Sequence, residues 1–170
     1  LAVTGTVLFG FVIVHMLGNL QVFLGPEVFN GYAATVKGNA LVLWGARSVL
    51  LASVVVHAFV ALSLVARTAG ARDVGYRNLK TRKTTYAALT MKLGGPALLF
   101  YILFHLAHFT FPGLAVGSYV HSHTNVYGNF VGSFQNPVVV VFYVVTQIFL
   151  GLHLYHGGWS LLQTLGLSHP

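Results

Sequence analysis

Residues 40–66 read ALVLWGARSVLLASVVVHAFVALSLVA, a run broken only by Arg47 and His57 among ionisable groups. About 20 apolar residues cover the hydrocarbon core of a bilayer, so this stretch is long enough to span one as a helix. Three more windows of that kind follow from the same criterion: about 1–24, closed by Gly25-Pro26; about 93–112, with Gly94-Gly95-Pro96 at its start; and about 137–166, opened by Asn136-Pro137. The expected fold is an all-α integral membrane protein. Residues 1–170 form a single transmembrane domain, an antiparallel bundle of four helices with a basic loop between the second and third.

Composition agrees with that setting. Hydrophobic residues make up 56% of the chain and charged ones 6%, with a mean hydropathy of +0.77, whereas a soluble domain carries roughly 25% charge. Nine Lys and Arg stand against two acidic residues. Seven of the nine, Arg67, Arg72, Arg77, Lys80, Arg82, Lys83 and Lys92, lie between the second and third helices, and none lies in 113–135. That clustering is a topology signal rather than a nucleic-acid surface, and it places the basic loop and the N-terminus in the cytoplasm. Trp44, Tyr119, Tyr127 and Trp159 fall near helix ends, where amphipathic rings favour the headgroups. The absence of cysteine excludes thiolate iron–sulfur ligation, disulfides and covalent c-type haem attachment. The opening LAVTGTVLFGFVIV has no basic segment before it and reads as a helix under way, not a signal peptide.

Each apolar window holds a histidine at membrane depth: His15, His57, His105 and His153. An ionisable group there is costly and points to a functional site: metal ligation is the reading taken, the alternatives being a hydrogen bond to another helix or a proton path. Counting from the outer helix ends, His15 and His105 lie roughly 10–15 Å deep, and His57 and His153 roughly 24–26 Å. Two pairs at matched depth, on what the order reads as antiparallel neighbours, suit two bis-histidine haems stacked across the bilayer. Gly18, Ala61 and Gly157 lie three or four residues after a ligand, on its own face, where a flat macrocycle fits; small residues at that spacing also serve plain helix packing. Arg47, about 15 Å above His57, and Lys92 are candidates for haem propionates. Arg47 and His108 are also candidates for a quinone carbonyl, the alternatives being a snorkelling arginine and a simple interhelix hydrogen bond. His156 has the same open roles as His108. His121, His123 and His169 are expected to be solvated.

The segments HMLGNLQVFLGPEVFNGYAA (15–34), HAFVAL (57–62), TMKLGGPALLFYILFHLAHFTF (90–111), NPVVVVFYVV (136–145) and LHLYHGGWSLL (152–162) resemble the dihaem cytochrome b membrane anchor of bacterial succinate dehydrogenases and fumarate reductases, single-anchor type. The resemblance covers nearly the whole chain. It implies two haem b groups, the proximal one on His57 and His153 and the distal one on His15 and His105. It also implies a flavoprotein and an iron–sulfur subunit on the cytoplasmic side, menaquinone as the quinone, and dicarboxylate chemistry on a partner subunit. A higher oligomer of the complex is compatible with it. The family has a fifth helix, so a further apolar stretch is expected beyond Pro170. Some members carry a glutamate two residues before the fourth ligand; here Gly151 stands there and cannot relay a proton. Cytochrome b subunits of hydrogenases, formate dehydrogenases or nitrate reductases, and a haem-free scaffold or transporter, are the competing functions. Quinol–cytochrome c reductase cytochromes place both ligands about 13 residues apart on one helix, whereas the only histidine pairs within one helix here are three apart.

Overall fold

A backbone in hydrocarbon must satisfy its own N–H and C=O groups, and a continuous helix does so within one segment. The computed structural model describes residues 1–71, 85–111 and 120–167. Among them every regular element is helical: α1 (Ala2–Asn19) runs into a 3-10 segment (Leu20–Leu24), followed by α2 (Pro26–Lys37), α3 (Ala40–Gly70), α4 (Tyr86–Phe109), α5 (Val126–Ser133) and α6 (Pro137–Thr164). Four spans of 23, 31, 24 and 28 residues are apolar enough to cross a membrane, and at 1.5 Å per residue each exceeds the roughly 30 Å hydrocarbon thickness. The chain is a multi-pass membrane protein. Its outward faces carry the apolar load, with Leu41 85%, Leu93 79% and Val138 73% exposed, as lipid-facing residues are.

Side-chain caps start three of the spans' helices. Asn39 accepts from the Val42 N–H, Thr85 from Ala88 and Asn136 from Val138. The Thr85 cap corrects the third span: α4 begins at Tyr86, so Lys92 and Gly94-Gly95-Pro96 lie inside it rather than at its start. Proline at 96 removes the N–H that would bond the Lys92 carbonyl; a membrane helix runs through such a gap because hydrocarbon offers the chain no better alternative. The second span extends four residues past Ala66, to Gly70.

Two short helices occupy what the sequence reads as loops. Gly25, at φ +96°, turns the chain into α2, whose Pro26 takes a position where its missing N–H costs nothing; Glu27 in the first turn and Lys37 in the last complement the helix dipole. α2 packs on α5, and together they cap one end of the bundle. Asn30 ties them by accepting from the Tyr127 N–H at 2.9 Å. Phe29 of α2 meets Phe130 of α5, and Phe130 meets Phe109 of α4.

α4 packs most extensively on α6 and α1 on α3, with α1 also against α6 and a smaller α3–α4 contact. The pairs α1/α4 and α3/α6 therefore face each other across the interior. Gly94 meets Phe149, Tyr101 meets Gln147 and His105 meets Tyr143, so α4 and α6 are antiparallel. Few of the described residues are buried; in the spans they include Ser53, Leu98, His108, Val139, Tyr143 and Thr146. Arg72, Arg77, Lys80, Arg82, Lys83, Tyr119 and His169 lie outside the described residues.

Asn129 locks the cap: at 4% exposure its amide accepts from the Ser122 N–H at 2.9 Å and donates to the Ser122 carbonyl at 2.6 Å. Asn129→Ala should cost about 1–3 kcal/mol by stranding both groups, read as a lower thermal midpoint in detergent. Thr124→Ala, at an exposed hydroxyl, should stay within about 0.5 kcal/mol.

Candidate metal centres

The four membrane histidines stand one each on α1, α3, α4 and α6. His15 and His105 have ring centroids 5.9 Å apart with planes at 84°; His57 and His153 are 6.2 Å apart at 59°. Each pair spans the interior, between helices that face rather than abut. The partners also run in the same direction. α1 descends from His15 to Thr4, which meets His57, and α4 descends from His105 to Gly94, beside Phe149. This corrects the expectation of antiparallel neighbours: the paired helices are diagonal and parallel, because consecutive spans alternate direction and the second and fourth share one sense.

Tyr143 lies at the level of His105, and His153 comes ten residues later on α6, which separates the two layers by about 15 Å along the helix. The separation within each pair has a chemical meaning. A metal–imidazole bond of about 2 Å, plus about 1 Å from nitrogen to ring centre, repeated on the far side, puts two centroids about 6 Å apart. Both pairs meet that requirement. Among the described residues no three His, Asp or Glu side chains converge. Each layer offers two imidazoles and, among the described residues, no third side chain of that kind, so a metal held there would need its other donors from a bound ligand.

The ring nitrogens are held by neighbours that the sequence did not single out. His57 Nδ1 lies 3.2 Å from Thr4 Oγ1, and His105 Nδ1 lies 3.3 Å from Tyr143 Oη. Asn19 donates to His15 Nε2 at 3.2 Å and to the His15 carbonyl at 2.7 Å. His153 Nδ1 is buried, with no hydrogen-bond partner among the described residues. Phe11 stacks on His15 at 5.2 Å, and Tyr101 and Phe109 flank His105. A hydroxyl inside an apolar helix, as at Thr4 and Tyr143, was the available signal, but choosing its partner requires the fold.

The other candidates disperse. Gly18 does not line the interior. It is buried under Tyr32 of α2, whose ring a Cβ at 18 would strike, so helix packing, not a macrocycle, accounts for it. Gly157 is exposed with open space where a Cβ would go, and Ala61 is half-buried on α3. Arg47 lays its guanidinium over the Trp44 ring at 4.9 Å, a cation–π contact on its own helix. Lys92 is exposed in the second turn of α4.

His108 is 1% exposed, with Nδ1 3.0 Å from Tyr143 Oη. Of the roles open to it, contact through Tyr143 is the one its surroundings match. His156 is half-buried on α6. His121 and His123 meet edge to face beyond the spans, and Lys37 donates to the His123 carbonyl. Partial burial, helped by His123 and Lys37, holds His121 below the usual imidazole range, so it is neutral near pH 7.

Comparison with protein-family models, with curated proteins and with solved structures returned no match.

Gly18→Ala should lower the thermal midpoint, as overpacking does, by about 1–3 kcal/mol. Combined with Tyr32→Ala the loss should fall short of the sum of the two single variants, since the second removes the ring that the new methyl strikes.

Proposed function

We propose that this chain is the membrane anchor and electron-transfer subunit of a succinate:quinone oxidoreductase, holding two b-type haems by His57/His153 and His15/His105. The reading is carried by one observation: two imidazole pairs, each about 6 Å between ring centres, stacked at two depths inside one bundle. The sequence resemblance supplies the partners. A flavoprotein and an iron–sulfur subunit sit on the cytoplasmic face of the bacterial inner membrane, succinate or fumarate reacts on a partner, and menaquinone is the membrane substrate.

Bound between the imidazoles, haem supplies one-electron carriers linking the iron–sulfur partner to the quinone. The chain's own residues do the rest. Thr4 and Tyr143 engage the Nδ1 atoms of His57 and His105, which restrains each ring and leaves its other nitrogen as the donor that haem iron would use. Phe11, Tyr101 and Phe109 exclude water from the His15/His105 layer. The α2–α5 cap closes the end of the bundle nearest that layer. Arg47, near the same end, and Lys92 are the cations available to propionates, and Arg47 and His108 are proposed at the quinone site.

Protein purified in mild detergent should give a reduced-minus-oxidised spectrum of b-type haem and bring flavin and iron–sulfur subunits with it. Hydrogenase, formate dehydrogenase or nitrate reductase subunits in their place would reassign the complex while keeping the haems; no Soret band at all would leave a scaffold or transporter. His57→Ala and His153→Ala should each abolish the same haem and spare the other, which His15→Ala and His105→Ala should abolish instead. Different haems lost from the His57 and His153 variants would refute the pairing.

Orientation has its own test. The positive-inside pattern puts Lys80 in the cytoplasm, so Lys80→Cys should resist an impermeant thiol reagent in intact cells and react once they are broken.

A further inference from the structure

Tyr143 is 8% exposed, and its hydroxyl touches two histidines of α4, His105 Nδ1 at 3.3 Å and His108 Nδ1 at 3.0 Å. Its ring is clamped edge-on by Phe134 at 5.0 Å and lies among Phe104, Phe109 and Phe142, so the oxygen has little freedom to leave. A phenol has one proton to give and lone pairs to receive with. When that proton goes to the nearer imidazole, His108, the oxygen accepts from the Nδ1–H of His105. The His105 proton is then on Nδ1 and its lone pair on Nε2, with the His15 ring 5.9 Å away between centres.

The other layer holds the same device in a different chemistry. Thr4 Oγ1 donates its only proton to the Leu1 carbonyl at 3.0 Å and lies 3.2 Å from His57 Nδ1. With its proton committed, the hydroxyl can only accept from that ring. In that arrangement His57 carries its proton on Nδ1 and its lone pair on Nε2, with the His153 ring 6.2 Å away between centres.

We infer that Tyr143, braced by His108, and Thr4 are positioning residues that set the tautomer and donor strength of one metal-binding imidazole in each layer, so that the two centres are tuned independently. The inference rests on the haem reading above. An acceptor at Nδ1–H makes an imidazole more basic, which favours the ferric over the ferrous iron; losing it should raise the midpoint potential of that haem alone. The sensitivity is asymmetric: the Tyr143 acceptor depends on a second side chain, His108, whereas the Thr4 acceptor depends on a backbone carbonyl.

The test is a spectroscopic redox titration of both haems in the intact complex. Tyr143→Phe keeps the ring packing and should shift only the His15/His105 haem, upward, with both haems retained. Thr4→Val should shift only the His57/His153 haem, also upward. His108→Ala should move the same haem as Tyr143→Phe, by less, and adding it to Tyr143→Phe should add nothing, because both act through one hydroxyl. Unchanged potentials in both Tyr143→Phe and Thr4→Val, or equal shifts of both haems in either, would overturn the assignment and leave the haem reading standing. A wild-type complex without haem would overturn both. Should Tyr143→Phe fail to accumulate, His108→Ala and Thr4→Val decide the matter alone.

Discussion

An imidazole in hydrocarbon has no water to bond, so both of its ring nitrogens must be answered by another part of the chain or by something the chain binds. The bundle is arranged around that constraint. His15, His57, His105 and His153 turn to the interior between helices that face without abutting. Their neighbours answer part of the need: Thr4 for His57, Tyr143 for His105, Asn19 for His15. What remains is a pair of rings in each layer about 6 Å apart between centres, the separation that fits the metal sharing proposed above. Filling the interior with aliphatic side chains would stabilise such a bundle by packing alone, yet few of its residues are buried.

The two ends of the molecule differ for physical reasons. At one end α2 and α5 form a lid whose backbone lies outside any span and is secured by amides: Asn30 on Tyr127, Asn129 on Ser122, Asn125 on Gly128. Asparagine does this work because one side chain offers both a donor and an acceptor. The aromatic series from Phe29 through Phe130, Phe109 and Phe134 joins the lid to the His105 layer. At the end away from the lid, α3 and α6 run on as long apolar helices.

Much was legible in the residues. Four apolar runs specify four spans, because hydrocarbon thickness and helix rise leave little choice, and the spans observed begin or end close to Gly25-Pro26, Ala40 and Asn136-Pro137. The start of α4 was obscured because Lys92 and Gly94-Gly95-Pro96 look like a boundary, while the Thr85 cap seven residues earlier is a weaker written signal. α2 and α5 were missed because 12 and 8 residues are too short to register against a span-length window. Gly18 shows the limit of spacing arguments: three residues after a histidine on the same helix, it faces Tyr32 instead of the interior.

The sequence by itself determined four apolar spans, each carrying at least one histidine, and by depth it sorted His15, His57, His105 and His153 into two layers. Both follow from one-dimensional quantities, apolar length and residue count, which a helix converts directly into distance. Only the tertiary structure decided that the paired helices lie diagonally across the bundle, that Tyr143 joins His105 to His108, and that Thr4 reaches His57 from 53 residues away. Rotation of a helix about its own axis and the choice of its neighbours are set by packing between segments, and no spacing along a single helix encodes them.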